Sequence, residues 1–270
     1  MCIFFLMIRR PPRSTLFPST TLFRSVETTA PEFGGKDTIT TGNGSDIAIG
    51  GSDDDVILAA TAGRAADVKA TLTLVEAEDF EAIDSGDSER DIVIGDNGKA
   101  VFDAGEVLRS LVTTDPDPGT YPQADPIPGN DIIIVGNGPD IVLAGGLNDV
   151  VVAGGTDDAR DLVIGDSGEA TFNAAGILKV FETIQPQLGG NDIITTHDGS
   201  DIVLAGSGND LVLAGGMDSA RDIVLGDSGR AHFTDAEDLT LFETTAPHSG
   251  GQDSLTTGNG RHLPTGRSGG

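Results

Sequence analysis

Residues 198–216 read DGSDIVLAGSGNDLVLAGG: two glycine-rich turns, each closed by an aspartate (Asp201, Asp210) and each followed by a short apolar run. The two aspartates are nine residues apart, and the spacing recurs along the chain at Asp37, Asp46 and Asp55, at Asp131, Asp140 and Asp149, and at Asp192, Asp201 and Asp210. The position two beyond each aspartate is always apolar: Ile39, Ala48, Ile57, Ile133, Val142, Val151, Ile194, Val203 and Val212. Glycine supplies the tight turn, and an apolar run too short for a helix reads as a strand, so the pattern is turn, short strand, turn, short strand.

A longer period encloses the nonapeptides. FETIQPQLGGND at Phe181–Asp192 returns as FETTAPHSGGQD at Phe242–Asp253, an offset of 61 residues, and VETTAPEFGGKD begins at Val26. The units fall at 26–119, 120–180, 181–241 and, in part, 242–260. The first is longer through insertions at about 61–85 and 113–128, the second of them proline-rich, and both read as surface loops. Twelve residues after the third nonapeptide aspartate come ARDLVIGDSGEATF (Ala159–Phe172) and ARDIVLGDSGRAHF (Ala220–Phe233), with ERDIVIGDNGKAVF (Glu89–Phe102) as the version in the first unit. Alternation on either side of DSG or DNG predicts a hairpin there, with a third strand at Ile177–Glu182, Leu239–Glu243 and Val107–Val112. Because 61 is not a multiple of 18, this meander is expected to interrupt or cap each roll segment.

Composition narrows the function. The chain of 270 residues carries 16 Lys plus Arg against 43 Asp plus Glu, a net charge of −27. A phosphate backbone or an anionic lipid surface is bound by releasing counterions to Lys and Arg, so nucleic acid and membrane surface are excluded as partners. The longest apolar run near the start, Cys2–Ile8, is too short to span a bilayer, and no membrane insertion is expected. The single cysteine, Cys2, allows neither an intramolecular disulfide nor a CxxC zinc site. Residues 1–25 hold four Arg and no acid, which leaves −31 on the rest, and MIRRPPRSTLFPSTTLFRS resembles translated sequencing adapter. They are set aside as non-native, and residues 261–270, where RHLPTG replaces the repeat, are read as a non-native or truncated end. The natural protein is expected to extend past both ends. Aspartate in such excess supplies hard oxygen ligands and points to calcium.

The nonapeptides resemble the RTX, or hemolysin-type, calcium-binding repeats, whose unit is GGxGxDxUx with U a large apolar residue. The match is best at GSGNDLVL (Gly206–Leu213), with several glycines replaced elsewhere. The resemblance implies an all-β fold in which β-roll or β-solenoid segments alternate with short hairpin meanders, and in which two nonapeptides make one coil. It further implies Ca2+ in the turns, held by Asp37, Asp46, Asp55, Asp131, Asp140, Asp149, Asp192, Asp201, Asp210 and Asp253 together with main-chain carbonyls. Asp37 would stack on Asp55, Asp131 on Asp149 and Asp192 on Asp210. At a strand spacing of about 4.8 Å, like charges repel by on the order of 1 kcal/mol per pair even in water, and a divalent cation between them reverses the sign.

Other motifs have plainer readings. GDSG at Gly165–Gly168 and Gly226–Gly229 recurs once per unit and carries Asn97 in its first copy, so it reads as a turn and not as a protease nucleophile. Asp96, Asp166 and Asp227 would cap that turn or add a ligand. His197, His232, His248 and His262 fall at nonequivalent positions and form no HExxH. Asp115 and Asp117 in DPDPG read as a solvated loop, Arg90, Arg160 and Arg221 as partners of surface carboxylates, and the paired threonines Thr40–Thr41, Thr195–Thr196 and Thr256–Thr257 as ordinary strand formers. The sequence therefore predicts a non-enzymatic structural or adhesive region of a large secreted or cell-surface bacterial protein, folding on calcium outside the cell, with calcium and cell-surface or matrix ligands as partners. The alternative is the noncatalytic tail of a secreted protease or lipase.

Overall fold

The computed structural model describes residues 25–31, 34–59, 88–116, 128–259 and 263–265. Residues 1–24, the insertion expected at 61–85, residues 117–127 of the second insertion, and most of 261–270 lie outside the described residues. The described chain is all-β, with strands gathered into three sheets of seven.

Two of the sheets are parallel. A first sheet holds β2 (Thr38–Thr40), β4 (Val56–Ala59), β8 (Ile132–Val135), β10 (Val150–Val152), β14 (Ile193–His197), β16 (Leu211–Ala214) and β20 (Ser254–Thr257) in that order. A middle sheet holds β3 (Ile47–Ile49), β5 (Ile92–Ile94), β9 (Ile141–Leu143), β11 (Leu162–Ile164), β15 (Ile202–Leu204), β17 (Ile223–Leu225) and β21 (Leu263–Thr265). The chain alternates between them, so two nonapeptides make one coil of a roll. Each strand is three to five residues long, and its central side chain points between the sheets. All nine apolar positions that follow the periodic aspartates by two are buried there in one cluster, joined by Val93, Val163 and Val224.

The roll is not interrupted by the meander. β4 pairs with β8 and β10 with β14, so the parallel ladders run straight through each unit boundary. The DSG segment is also not the tip of a hairpin. The strand before it (β5, β11, β17) belongs to the middle sheet, whereas the strand after it enters a third, antiparallel covering sheet. That sheet holds β1 (Ser25–Glu27), β6 (Gly98–Phe102), β7 (Leu108–Thr113), β12 (Gly168–Phe172), β13 (Leu178–Thr183), β18 (Gly229–Phe233) and β19 (Leu239–Thr244). The hairpins pair β6 with β7, β12 with β13 and β18 with β19. Local alternation looks the same whether two strands fold back on one another or step between layers.

The covering sheet exists because the middle sheet is apolar on both faces. Ile94, Leu143, Ile164, Leu204 and Leu225 point away from the roll interior and pack under Phe172, Phe181, Phe233 and their neighbours. Glycine opens the first strand of each covering hairpin for a steric reason: a Cβ at Gly168 would sit 2.5 Å from Ile164 Cδ1. On the other side of the molecule, the outer face of the first sheet interleaves Thr40 and Thr195 with Leu58 and Leu213, so the threonines form no continuous ladder. Phe181 is 0% exposed and sits in the seam between layers. Its replacement by alanine should lower the unfolding free energy by about 3–5 kcal/mol. Met217→Ala, at a side chain that is 90% exposed, should change it by no more than about 0.5 kcal/mol. Denaturant unfolding of the two variants checks both values.

Candidate metal centre

Each strand of the roll before β21 is entered through an aspartate, and the parallel register stacks these aspartates into two files, one along each edge. Where the chain enters the first sheet, the main-chain N–H of Asp37 donates to Asp55 Oδ1, Asp55 to Asp131, Asp131 to Asp149, Asp149 to Asp192, Asp192 to Asp210 and Asp210 to Asp253, at 2.7–3.1 Å. Where it enters the middle sheet, Asp46 donates to Asp91, Asp91 to Asp140, Asp140 to Asp161, Asp161 to Asp201 and Asp201 to Asp222, at 2.8–3.3 Å. Strand hydrogen bonds hold the rungs from the other side, as in Val150 N–H to Asp131 O at 2.9 Å and Leu162 N–H to Asp140 O at 3.0 Å.

The nine aspartates expected from the nonapeptide spacing, and Asp253 with them, lie in these two files, and the three expected stacks are present. Asp91, Asp161 and Asp222 escaped the sequence reading. They sit 12 residues after the preceding aspartate in the intact units instead of nine, without the usual glycine two positions earlier. The signal was there in the apolar triplet after each one, IVI, LVI and IVL. In the lengthened turns, Asp157 and Asp218 accept from the amides of Gly138 and Gly199 in the neighbouring coil.

A second file was also missed. Immediately before the aspartates of the first edge run Asp54, Asn130, Asn148, Asn191, Asn209 and Gln252. Each asparagine Oδ1 accepts the next rung's main-chain N–H, at 2.8–3.2 Å. Between asparagines it also accepts the next side-chain amide, at 3.0 Å. At the end of the file, Lys36 pairs with Asp54. With the Lys36 bond first and the Asn130 amides next, the Asp54 carboxyl is drawn down to about 2.

The aspartates behind the asparagine file are in the opposite condition. Oδ1 is satisfied, but Oδ2 of Asp55, Asp131, Asp149, Asp192 and Asp210, and of Asp161 on the other edge, is buried with no donor. These oxygens face other acceptors. The space a Cβ would fill at Gly50 is occupied by both Asp55 Oδ2 and the carbonyl of Gly95. At Gly95 it is Asp131 Oδ2 and the Ala144 carbonyl, and at Gly165 it is Asp192 Oδ2 and the Ala205 carbonyl. Burial lifts the carboxyls of Asp55 and Asp210 to about 7 and those of Asp131 and Asp201 to about 8. Burial first, and the charges of Asp192, Asp201 and Asp166 next, push Asp149, Asp161 and Asp192 respectively well above the ordinary carboxylate range.

Carboxylate and carbonyl oxygens converging without a proton between them are a donor set suited to a hard cation of flexible coordination. Among the described residues no three His, Cys, Asp or Glu side chains converge on one point. An ion here would therefore take carboxylates from successive coils and complete its shell with carbonyls, as the resemblance implies.

The remaining polar residues separate from this set. Asp96 accepts the turn amides of Gly129 and Gly146, and Asp166 those of Gly190 and Ser207, so both cap turns. Ser167 and Ser228 are buried, and Ser228 Oγ shares a hydrogen bond with Ser207 Oγ. Arg90 and Arg160 donate through Nε to the carbonyls of Pro139 and Ser200, and Arg160 also forms the expected ion pair with a surface carboxylate, Glu237, at 4.0 Å. Asp115 is buried, not solvated, and Asp117 lies outside the described residues. No known protein family, curated protein or solved structure matches the chain.

The carboxyl shifts set a direction for pH. A folded-state pKa raised above the unfolded value means that the folded chain binds more protons, so stability falls as pH rises through the window between them. Without divalent cations, the chain should be more stable at pH 5 than at pH 8, with the loss spread between the ordinary aspartate value of about 4 and the raised values of about 7 to 8. Urea unfolding in a chelating buffer across that range checks the sign.

Proposed function

We propose that this chain is a calcium-ion-binding structural and adhesive repeat region of a secreted or cell-surface protein, folding when it meets calcium outside the cell. The observation that carries the reading is the buried Oδ2 atoms of Asp55, Asp131 and Asp192, which have no donor among the described residues and lie beside main-chain carbonyls of the neighbouring coils. Asp37, Asp55, Asp131, Asp149, Asp192, Asp210 and Asp253 would hold ions along one edge, and Asp46, Asp91, Asp140, Asp161, Asp201 and Asp222 along the other. Bound calcium supplies positive charge that turns the repulsion within each file into attraction.

The chain's own residues supply the rest. Glycine turns allow carbonyls and carboxylates to approach without a Cβ between them. The amide of each rung fixes the orientation of the next carboxylate. The apolar interior then forms only when both files are neutral, so binding free energy becomes folding free energy. Extracellular modules typically bind calcium at about 0.1–1 mM, which matches a chain that stays open inside the cell and closes outside it. The covering sheet and the turn edges are the surfaces available to cell-surface or matrix ligands.

Far-ultraviolet circular dichroism during a calcium titration, with magnesium as control and EGTA for reversal, tests the reading. A calcium-specific, reversible gain of β signal is expected. Asp149→Ala and Asp161→Ala should each raise the midpoint and lower the number of ions bound in calorimetry. The second matters because Asp161 lies outside the nonapeptide motif. A β-rich spectrum in EGTA that calcium does not alter, with no heat of binding, would overturn the proposal.

A further inference from the structure

The turn from β14 into β15 departs from the repeat at two adjacent positions. Thr196 and His197 stand where the nonapeptide has its pair of glycines, ahead of Asp201. His197 takes a left-handed backbone, φ 61°, as Gly42 does in the first unit. Thr196 is 0% exposed, and its Oγ1 has no hydrogen-bond partner among the described residues. The interior does not require a hydroxyl here: Val135, at the same place in the second unit, is equally buried within the apolar cluster. Threonine matches valine in shape, so packing leaves the hydroxyl unexplained, and a buried polar group without a partner is costly. Thr41, the counterpart in the first unit, is also buried with an unpartnered hydroxyl.

Oxygens gather around Thr196. Its carbonyl and Asp161 Oδ2 approach the same point, since a Cβ added at Gly154 would lie 2.1 Å from the first and 2.9 Å from the second. The Asp161 amide donates to Asp201 Oδ1 at 3.0 Å, which places the two carboxylates on adjacent rungs. Oδ2 of each is buried with no donor among the described residues. Burial lifts the Asp201 carboxyl to about 8, and the Asp161 amide first and the Thr196 hydroxyl next oppose that rise. The hydroxyl thus lies near the carboxyl without meeting it in hydrogen-bond geometry.

We propose that Thr196 is a side-chain ligand of the cation held between Asp161 and Asp201, and that its hydroxyl makes this turn more selective for calcium over magnesium than the turn that carries Val135. The inference rests on the calcium reading of the two files and adds a residue that the aspartate period does not mark. A hydroxyl oxygen is neutral, so it fills a coordination position without adding to the repulsion along the file. Calcium accepts about six to eight oxygens in loose geometry, whereas magnesium demands a near-ideal octahedron and dehydrates reluctantly. An extra oxygen fixed by the protein therefore favours the larger ion. The cation in turn gives the buried hydroxyl a partner.

Calcium and magnesium binding to the full chain are compared by isothermal titration calorimetry in the parent, Thr196→Val, Thr196→Ser and Val135→Thr. Thr196→Val should weaken one calcium site by about 10-fold, the lower end of the loss when a metal site loses a supporting residue, and leave magnesium binding unchanged. Thr196→Ser should keep the parent affinity, and Val135→Thr should tighten a second site for calcium. Valine already occupies the equivalent turn, so Thr196→Val should fold, and circular dichroism at saturating calcium checks that it does. If it does not fold, Val135→Thr decides, and an unchanged calcium affinity there overturns the assignment. Parent affinity in a folded Thr196→Val variant, an equal loss for both ions, or a loss in Thr196→Ser as large as in Thr196→Val would also overturn it and leave the calcium reading intact. A parent chain that binds no calcium overturns both.

Discussion

One carboxylate stacked on the next at strand spacing is the contact on which this molecule depends. Each aspartate at a turn exit accepts the main-chain N–H of the preceding rung, as Asp149 does from Asp131 at 2.7 Å and Asp161 from Asp140 at 2.9 Å. Without it, an amide at the mouth of every turn would be buried unpaired, at a cost of about 1–3 kcal/mol each. With it, the roll carries a column of buried acids whose outer oxygens have no proton donor. The fold thus exchanges one electrostatic debt for another, and only neutralisation of the columns, by protons or by a cation, settles it. The glycines, the asparagine file beside the aspartates and the small side chains of the interior all follow from having to bring those oxygens together.

The asparagine file shows what a solvated version of the same stacking looks like. Asn148 and Asn191 carry both a donor and an acceptor, so each rung satisfies its neighbour without net charge and the file can lie at the surface. The aspartates one residue further on lack the donor, and they are the ones that are buried. A neutral ladder outside and a carboxyl ladder inside is the reverse of the usual preference for exposed charge, and it leaves the inner Oδ2 atoms without a donor among the described residues.

Much of this was legible in the sequence, and the failures have physical causes. The nine-residue period placed nine aspartates and nine interior side chains, because a strand of three residues leaves only one position that can point inward, and the 61-residue repeat added Asp253. Asp91, Asp161 and Asp222 went unnoticed because their turns are three residues longer in the intact units, yet they meet the same register. The strand pairing around DSG was misjudged because a turn and a layer change share the same residues. What separates them is the glycine that opens the first strand of each hairpin, pressed against Ile94, Ile164 or Leu225 four residues before it, a close approach that the alternation of apolar residues does not record. The first insertion and residues 117–127 of the second fall on residues the structure does not describe.

The two aspartate files cannot act separately. A strand such as β10 leaves the first file at Asp149 and reaches the second at Asp161 after one turn, and β11 carries the chain on from there, so every coil is tied to both edges. Neutralising one edge alone would leave the other forcing apart the same strands whose central residues, Val151 and Val163, fill the interior. Apolar burial in a coil is realised only when both of its edges are closed, and each closed coil gives the next one a register on which to form. Like other repeat architectures, the roll is bound through nearest-neighbour contacts. The covering sheet adds a second coupling, because β13 pairs with β12 of its own unit and β18 of the next. The hairpins therefore bind adjacent units to one another, and that length of contact makes a series of weak, three-residue strands behave as one cooperative body.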